Sequence, residues 1–156
     1  MLNNTACNNL DEQGYTFLSV EEKSKLNIAF RITPTLCILV VIAGMISQSW
    51  QVFAVLMTFG ILGSATNRFQ PFDVLYNVAL RHVLKSPKLP PSPIQKRFAC
   101  GVGALFLFGA TTFFYLGSTT WGYVFGAMYI VAAGLMATTH WCVASWLYNK
   151  MFKRVA

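Results

Sequence analysis

The segment NRFQPFDVLYNVALRHVLKSPKLPPSPIQKRF, running from Asn67 to Phe98, separates two long stretches that contain no charged residue. It holds six of the twelve Lys and Arg residues in the chain. The stretch before it, Ile32 to Asn67, has 36 residues without Asp, Glu, Lys or Arg, and the stretch after it, Phe98 to Asn149, has 52. Because the surface of a water-soluble domain needs charges, both stretches predict membrane-crossing helices.

The composition agrees with a membrane protein. Apolar residues make up 55% of the 156-residue chain and charged residues only 11%, against about 25% charged in a typical soluble domain. The formal net charge is +7. In a membrane protein such an excess is typical of Lys- and Arg-rich loops on the cytoplasmic side, so we expect no nucleic-acid partner.

Each uncharged stretch has the length of a helical hairpin. A helix rises 1.5 Å per residue and the hydrocarbon core is roughly 30 Å thick, so one crossing needs about 20 residues, or about 17 at the short end. Turn residues lie near the middle of each stretch, at 47–50 and at 117–122. The sequence therefore predicts an all-α, polytopic membrane domain over residues 27–149, with four transmembrane helices in two hairpins. The predicted spans are about 28–46, 50–66, 98–116 and 121–146.

The distribution of positive charge predicts the orientation. Neither hairpin turn contains a Lys or Arg, and all twelve lie toward the opposite ends of the spans. The positive-inside rule then places both termini and the central segment in the cytoplasm. We expect residues 1–26 to form a cytoplasmic tail, in which Ser19 and Glu22 match a capping box that starts a helix. Residues 150–156 form a basic C-terminal tail.

The central segment predicts an amphipathic helix at about 71–85, followed by a Pro-rich connector at 86–97. Asp73, Asn77, Arg81 and Lys85 recur every four residues and form one polar stripe. Such a helix is too short to span the bilayer and should lie in the cytoplasmic interface. Positively charged side chains there attract anionic lipid headgroups. The predicted lipid-binding residues are Arg81, Lys85, Lys88, Lys96 and Arg97.

Small residues on the predicted spans indicate where helices approach each other, since helix packing in lipid depends on close backbone contact. The candidates are Gly122, Gly126 and Ala133 on span 4, with Gly101 and Gly103 on span 3. Packing within one chain is favoured over a homo-oligomeric seam.

Three motifs carry a resemblance to a known family. They are Asn67-Arg-Phe with Pro71-Phe, Lys96-Arg-Phe-Ala followed by Gly103, and Trp141-Cys-Val-Ala-Ser-Trp. With these motifs the chain resembles the bacterial integral-membrane family catalogued as domain of unknown function 4395, over most of residues 27–149. The resemblance implies four spans and the bacterial inner membrane. It also implies thiol or sulfur chemistry beside thioredoxin-like or sulfurtransferase proteins, although Ser145 stands where many members have the second cysteine of Cys-x-x-Cys.

Cys142 is the candidate catalytic residue. A lone cysteine can form a mixed disulfide or persulfide, but a cysteine in an apolar helix is more often a small hydrophobic side chain. Cys37 and Cys100 are interpreted as structural, and Cys7 lies in the tail. The two histidines, His140 and His82, would share a cofactor only if the interfacial helix folded under the bundle. No cofactor and no metal are predicted.

The predicted spans contain no acidic residue, which argues against an ion-coupled transporter. Asp73, the only carboxylate after Glu22, is expected to pair with Asn77 or an Arg. The favoured function is a non-catalytic accessory or structural subunit that packs against a membrane-protein partner or itself. The alternative is a thiol- or sulfur-handling membrane protein that acts through Cys142.

Overall fold

The computed structural model describes residues 4–84 and 86–152, and within them the chain is helical with no strand. The first four helices are α1 (Asn4–Glu12), α2 (Val20–Lys25), α3 (Asn27–Ser47) and α4 (Trp50–Ala65). Then follow α5 (Pro71–Leu75), a π-helical turn (Tyr76–Leu80) and α6 (Arg81–Leu84). The last three helices are α7 (Ile94–Tyr115), α8 (Thr119–Thr139) and α9 (Val143–Phe152).

Three helices, α3, α7 and α8, are long and apolar enough to cross a membrane. The all-α prediction is thus confirmed, whereas the second predicted span, about 50–66, corresponds to a shorter helix. This helix, α4, has 16 residues and rises about 24 Å, less than the roughly 30 Å hydrocarbon core. It is apolar throughout and packs along α7.

The first hairpin turn lies where the sequence predicts it, whereas α8 begins at Thr119, inside the second predicted turn 117–122. Gln48 ends α3 in the left-handed conformation with φ 49°, and α4 begins two residues later. Gly117, with φ 75°, lies between α7 and α8. The polar Gln48 and the small Gly117 allow the chain to reverse direction through links of two residues, 48–49, and three residues, 116–118.

The bundle core contains aromatic side chains that fit against glycines. The rings of Phe53 and Phe114 stack with centroids 5.0 Å apart, between α4 and α7. A Cβ on Gly122 would lie 2.8 Å from the Phe114 ring, and one on Gly126 would lie 2.9 Å from the sulfur of Met45. These two predicted packing glycines therefore bring α8 against α7 and α3. The buried cluster around them comprises Val41, Phe53, Leu56, Leu107, Ala110 and Phe114.

The other predicted packing residues have looser surroundings. Gly103 would place a Cβ 3.2 Å from Tyr129, which is a close contact between α7 and α8. Gly101 would meet only Ser64, at an ordinary 3.6 Å. Ala133 is half-buried on α8.

One end of the bundle is covered by folded segments. At this end α3 and α7 begin and α4 and α8 end. Helices α1, α2 and α9 and residues 66–84 and 86–93 pack together there. We call it the capped end. The described part of the predicted N-terminal tail is therefore folded, and the capping box of Ser19 and Glu22 is confirmed at the start of α2. The apolar cluster of the capped end is Leu10, Tyr15, Leu26, Ala29, Phe30, Tyr76 and Leu89.

The predicted span 121–146 is two helices in the structure. Helix α8 ends at Thr139, and His140 follows in the left-handed conformation with φ 57°. Side chains of the N-terminal segment bind the last carbonyls of α8. Asn9 Nδ2 donates to Thr139 O at 2.8 Å, and Gln13 Nε2 donates to His140 O. These bonds satisfy carbonyls that have no partner within the helix.

The central helix was predicted to lie in the cytoplasmic interface with Asp73, Asn77, Arg81 and Lys85 as its polar stripe, and the structure places the first two members of that stripe inward. Asp73 is 6% exposed, and Asn77 Oδ1 accepts a hydrogen bond from the backbone N–H of Leu89 at 2.8 Å. Val78 and Val83, in contrast, are 69% and 80% exposed. The reversal follows from the partners that Asp73 and Asn77 find in the capped end. The outward apolar side chains suit a membrane interface.

Candidate functional site

A cavity of about 790 Å³ lies beside the capped end and is bounded by α3, α4, α7, α8 and α9. Its lining includes both core and surface residues. Leu56 and Leu107 are each 2% exposed, whereas Met128 and Val131 are 48% and 64% exposed. A volume of this size is in the range of sites that enclose small molecules. The cavity therefore leads from the outer face of α8 into the bundle.

Three of the four cysteines line this cavity. Cys37 comes from α3, Cys100 from α7, and Cys142 from the link between α8 and α9. Cys37 is buried, whereas Cys100 and Cys142 are half-buried, and all three are free thiols. Residues that are distant in sequence thus meet because α3 and α7 begin, and α8 ends, at the same end of the bundle.

A buried ion pair stands at the polar end of the cavity. Lys96, which lines the cavity, places its Nζ 2.6 Å from Asp73 Oδ2, and the two side chains are 7% and 8% exposed. Thr33 Oγ1 donates to the other carboxylate oxygen of Asp73 at 2.8 Å, and Ser92 Oγ donates to Oδ2 at 3.3 Å. The carboxylate is therefore held by three side chains from three segments.

This ion pair changes two interpretations of the sequence. Lys96 was assigned to lipid headgroups, but it is 6% exposed and its ammonium group is paired with Asp73. Asp73 was expected to pair with Asn77 or an Arg, and its cationic partner is a Lys that lies 23 positions later in the chain. The connector between them brings the two charges together.

Gln70 is a buried polar residue on the cavity wall. It is 9% exposed, and its Oε1 atom has no hydrogen-bond partner among the residues that the structure describes. A Cβ built on Gly63 would lie 3.2 Å from Gln70 Cγ and 3.3 Å from Cys100 Sγ. Gln70 and Cys100 are thus neighbours across the glycine, and Lys96 lies one helical turn before Cys100 on α7.

His140 belongs to a second polar cluster in the capped end. It is 1% exposed, and its Nε2 atom lies 2.7 Å from Asn27 Oδ1 and 3.2 Å from Arg31 Nε. Burial lowers the pKa of His140 to about 4, and the positive charge of Arg31 contributes in the same direction. His140 is therefore neutral near pH 7 and joins α3 to the end of α8.

The burial of His140 in this cluster predicts that the stability of the capped end depends on pH. When the capped end unfolds locally (the open form), His140 is exposed to water and has a pKa of about 6.5. Between about pH 6.5 and about pH 4 the open form therefore binds more protons than the folded, closed form. The free energy that favours the closed form is then largest above about pH 6.5, and it falls by up to roughly 3 kcal/mol as the pH falls to about 4. Hydrogen exchange of α1, corrected for intrinsic rates, should become faster over this range.

The control for that measurement uses the same substitution at each histidine. His140→Asn keeps a residue that tolerates the left-handed conformation but removes the titrating group, and should abolish most of the pH dependence. His82→Asn, at an exposed position, should leave it unchanged. Equal pH dependence in both variants and in the parent protein would contradict the assignment to His140.

The remaining predicted site residues are dispersed. His82 is exposed, with Arg81 Nε 3.4 Å from its Nε2, and Lys88 is exposed. Arg97 binds the end of α4, donating from Nε to Ser64 O at 3.0 Å and from Nη2 to Ala65 O at 2.9 Å. Lys85 lies outside the described residues. In residues 4–84 and 86–152, no group of three or more His, Cys, Asp and Glu side chains could hold a metal ion.

A family model described as "Domain of unknown function (DUF4395)" matches residues 27–153, which is most of the chain. The chain belongs to this family. The match begins at the first residue of α3, so the DUF4395 region includes the bundle, the cavity and α9, while α1 and α2 precede it. No curated protein and no solved structure matches the chain.

Sequence reasoning missed several cavity residues of this DUF4395 protein. Cys37 and Cys100 were set aside as structural, and Gln70 and Thr33 were not considered. One available signal was Asp73, because a single carboxylate in a segment next to apolar helices needs a cationic partner when it is buried. The thiols gave no such signal, since a cysteine inside a span looks the same in sequence whether it faces lipid or a cavity.

Proposed function

We propose that this DUF4395 protein is a membrane-embedded thiol protein that accepts sulfur from a cytoplasmic donor through Cys142. The observation that supports the proposal is the convergence of Cys37, Cys100 and Cys142 on one cavity. The favoured sequence hypothesis of a non-catalytic subunit depended on the lack of buried ionisable groups and on the many Phe, Gly and other small residues. The buried pair of Asp73 and Lys96 removes the first of these two reasons.

Cys142 is the thiol best positioned to meet a donor. It lies between α8 and α9, outside the three long apolar helices, and it is half-buried. Its carbonyl accepts the hydrogen bond from the backbone N–H of Trp146 at 2.9 Å, so Cys142 directly precedes the first turn of α9. The free N–H groups of that turn therefore lie next to it. Cys37 is buried on α3 and Cys100 is half-buried on α7, so both lie on long apolar helices.

The proposed step is transfer of a sulfane sulfur. The Cys142 sulfur attacks the terminal sulfur of a donor persulfide, R–S–SH. A new S–S bond forms on Cys142 while the S–S bond of the donor breaks, and the proton lost by the Cys142 thiol passes to the departing R–S group. The products are a Cys142 persulfide and the donor thiol, without net oxidation. The thiolate is the attacking form in such exchanges.

The test is site-resolved mass spectrometry of the detergent-purified protein after brief exposure to a small-molecule persulfide donor. Cys142 should carry the added sulfur before Cys37 and Cys100, by about ten-fold in initial rate, because those two thiols lie on long apolar helices where the thiolate is disfavoured. Cys142→Ala should abolish the early modification, and Cys7→Ala, at a buried site on α1, should preserve it. Unchanged early modification in Cys142→Ala would refute the proposal.

The proposal includes a membrane orientation. We propose that α4 crosses the bilayer with α3, α7 and α8, and that the capped end faces the cytoplasm of a bacterial inner membrane. The absence of Lys and Arg from both hairpin turns supports this orientation. It exposes Cys142 to cytoplasmic donors and directs the opening of the cavity beside α8 toward lipid.

A second candidate function is that of an accessory subunit. The feature that favours it is the outer face of α8, since only 11% of the apolar stretch of this helix is buried within the chain. Trp121, Val124, Met128, Val131 and Leu135 are exposed there. Lipid or a helix of a membrane-protein partner, including a second copy, would cover this face. An unreactive Cys142 would favour this second role.

A further inference from the structure

We propose that the cavity binds a neutral, single-chain amphiphile whose head carries a hydroxyl group. Such a ligand site goes beyond the proposed sulfur transfer, because it depends on Gln70 and Lys96 and not on the reactivity of Cys142. The argument combines the shape of the cavity, the unpartnered oxygen on its wall and the charge balance at its polar end.

The shape of the cavity suits a long apolar chain. Its lining is mostly aliphatic and aromatic, and it runs from the exposed side chains of Met128 and Val131 on α8 to the buried Leu56 and Leu107. An opening on the outer face of a membrane-crossing helix is reached from the lipid phase. A molecule with a hydrocarbon chain can therefore enter from the side without passing through water.

The polar end of the cavity supplies both a donor and an acceptor. Gln70 Oε1 is buried on the cavity wall and has no hydrogen-bond partner among the described residues. Lys96 carries three N–H donors; the bond to Asp73 uses one and the Tyr15 hydroxyl lies near a second, which leaves one for a ligand. The Tyr15 hydroxyl is also buried without a bond of good geometry, but Tyr15 does not line the cavity. A buried unpartnered oxygen is costly, so a donor on the ligand would be bound selectively.

The charge balance at the polar end of the cavity favours a neutral head group on the ligand. The positive charge of Lys96 is already balanced by Asp73 at 2.6 Å, so the polar end is neutral as a whole. A carboxylate or phosphate head would have to share Lys96 with Asp73, and two anions at one site repel each other. An anion also has no donor for Gln70. A hydroxyl head donates to Gln70 Oε1 and accepts from Lys96, with no uncompensated charge.

The test compares two photoreactive probes in the purified full-length protein. One is a long-chain fatty alcohol that carries a diazirine in its chain, and the other is the fatty acid with the same chain and diazirine. After irradiation, peptide mapping should find the alcohol on the cavity-lining parts of α7 and α8, with labelling by the fatty acid about ten-fold weaker. Gln70→Leu should reduce labelling by the alcohol about five-fold, the effect of losing one hydrogen bond.

Two further variants complete the experiment. Gln51→Leu makes the same change at an exposed position near the opposite end of the bundle and should not alter labelling. Ala132→Phe, at an exposed position on the cavity lining, should block entry of the alcohol without disturbing the core. Circular dichroism should be the same for all variants.

The proposal is overturned if the alcohol and the acid label equally, if neither labels the cavity, or if Gln70→Leu behaves like Gln51→Leu. These results are independent of sulfur transfer. Gln70→Leu should still form the Cys142 persulfide, and Cys142→Ala should still bind the alcohol. Failure of one proposal is therefore distinguishable from failure of the other.

Discussion

Asp73→Asn and Lys96→Met, made one at a time, are each expected to destabilise the protein by about 3–5 kcal/mol. Each single change leaves the other charge buried, since both side chains are less than 10% exposed and lie 2.6 Å apart. The loss should be measured as the free energy of unfolding in detergent micelles, from the change in tryptophan fluorescence with denaturant.

The double variant, Asp73→Asn with Lys96→Met, should recover most of this loss. Removing both charges removes the uncompensated one, and replacing a buried ion pair by neutral residues is often close to neutral in stability. Thr33 would still have an amide oxygen to which it can donate. A double variant that is no more stable than either single variant would show that the two residues contribute separately and not as a pair.

The exposed ion pair between Lys25 and Glu21 provides the matched control. Its atoms are also close, at 2.7 Å, but the side chains are 61% and 79% exposed. Lys25→Met should therefore cost at most about 1 kcal/mol, as is usual for surface pairs. Comparison with Lys96→Met separates the effect of burial from that of simply losing a lysine.

Gly122→Ala is expected to destabilise the bundle by about 1–3 kcal/mol, the usual effect of overpacking a core. The added Cβ would lie 2.8 Å from the ring of Phe114, closer than real Cβ contacts allow. This ring has little room to move, because it stacks on Phe53 at 5.0 Å and meets the Tyr123 ring edge-on at 5.4 Å. The same unfolding measurement in micelles reports the loss.

Gly134→Ala is the control on the same helix. A Cβ at Gly134 would have nothing within 4 Å, so this change should be neutral or stabilise α8 by up to about 1 kcal/mol through higher helix propensity. Gly126→Ala should fall between the two, since its neighbour is the flexible side chain of Met45 at 2.9 Å. Equal stability of Gly122→Ala and Gly134→Ala would contradict the packing argument.

The candidate site was predicted only in part, and the reasons differ between residues. Cys142 was selected because it lies in the aromatic-flanked motif that carries the family resemblance; the structure places it on the cavity wall, and its reactivity stays a prediction. Cys37 and Cys100 were not, because hydropathy does not distinguish a side chain that faces lipid from one that faces a cavity between helices. Lys96 was misplaced because positive charge next to a span usually means a headgroup contact. Its burial depends on Asp73, which approaches only after the connector has folded back.

The N-terminal segment of the capped end is a second feature that the sequence did not predict. A polar N-terminal segment with mixed charges resembles a tail in sequence. In the structure it is held by individual hydrogen bonds, such as those from Asn9 and Gln13 to the end of α8. No local pattern predicts bonds between residues 130 and 127 positions apart, and these bonds hold the end of α8, where His140 leaves the helix with φ 57°.

By itself, the sequence determined the apolar helices, the two hairpins, the turns that join them and the capping box at Ser19. These features depend on residues that are neighbours along the chain, through uncharged length, turn residues and local hydrogen bonds. The tertiary structure alone decided which charges pair, which thiols share a cavity and which face of the central helix points inward. Those outcomes depend on the distance between separate segments, which is set only when the helices pack and the capped end closes over them.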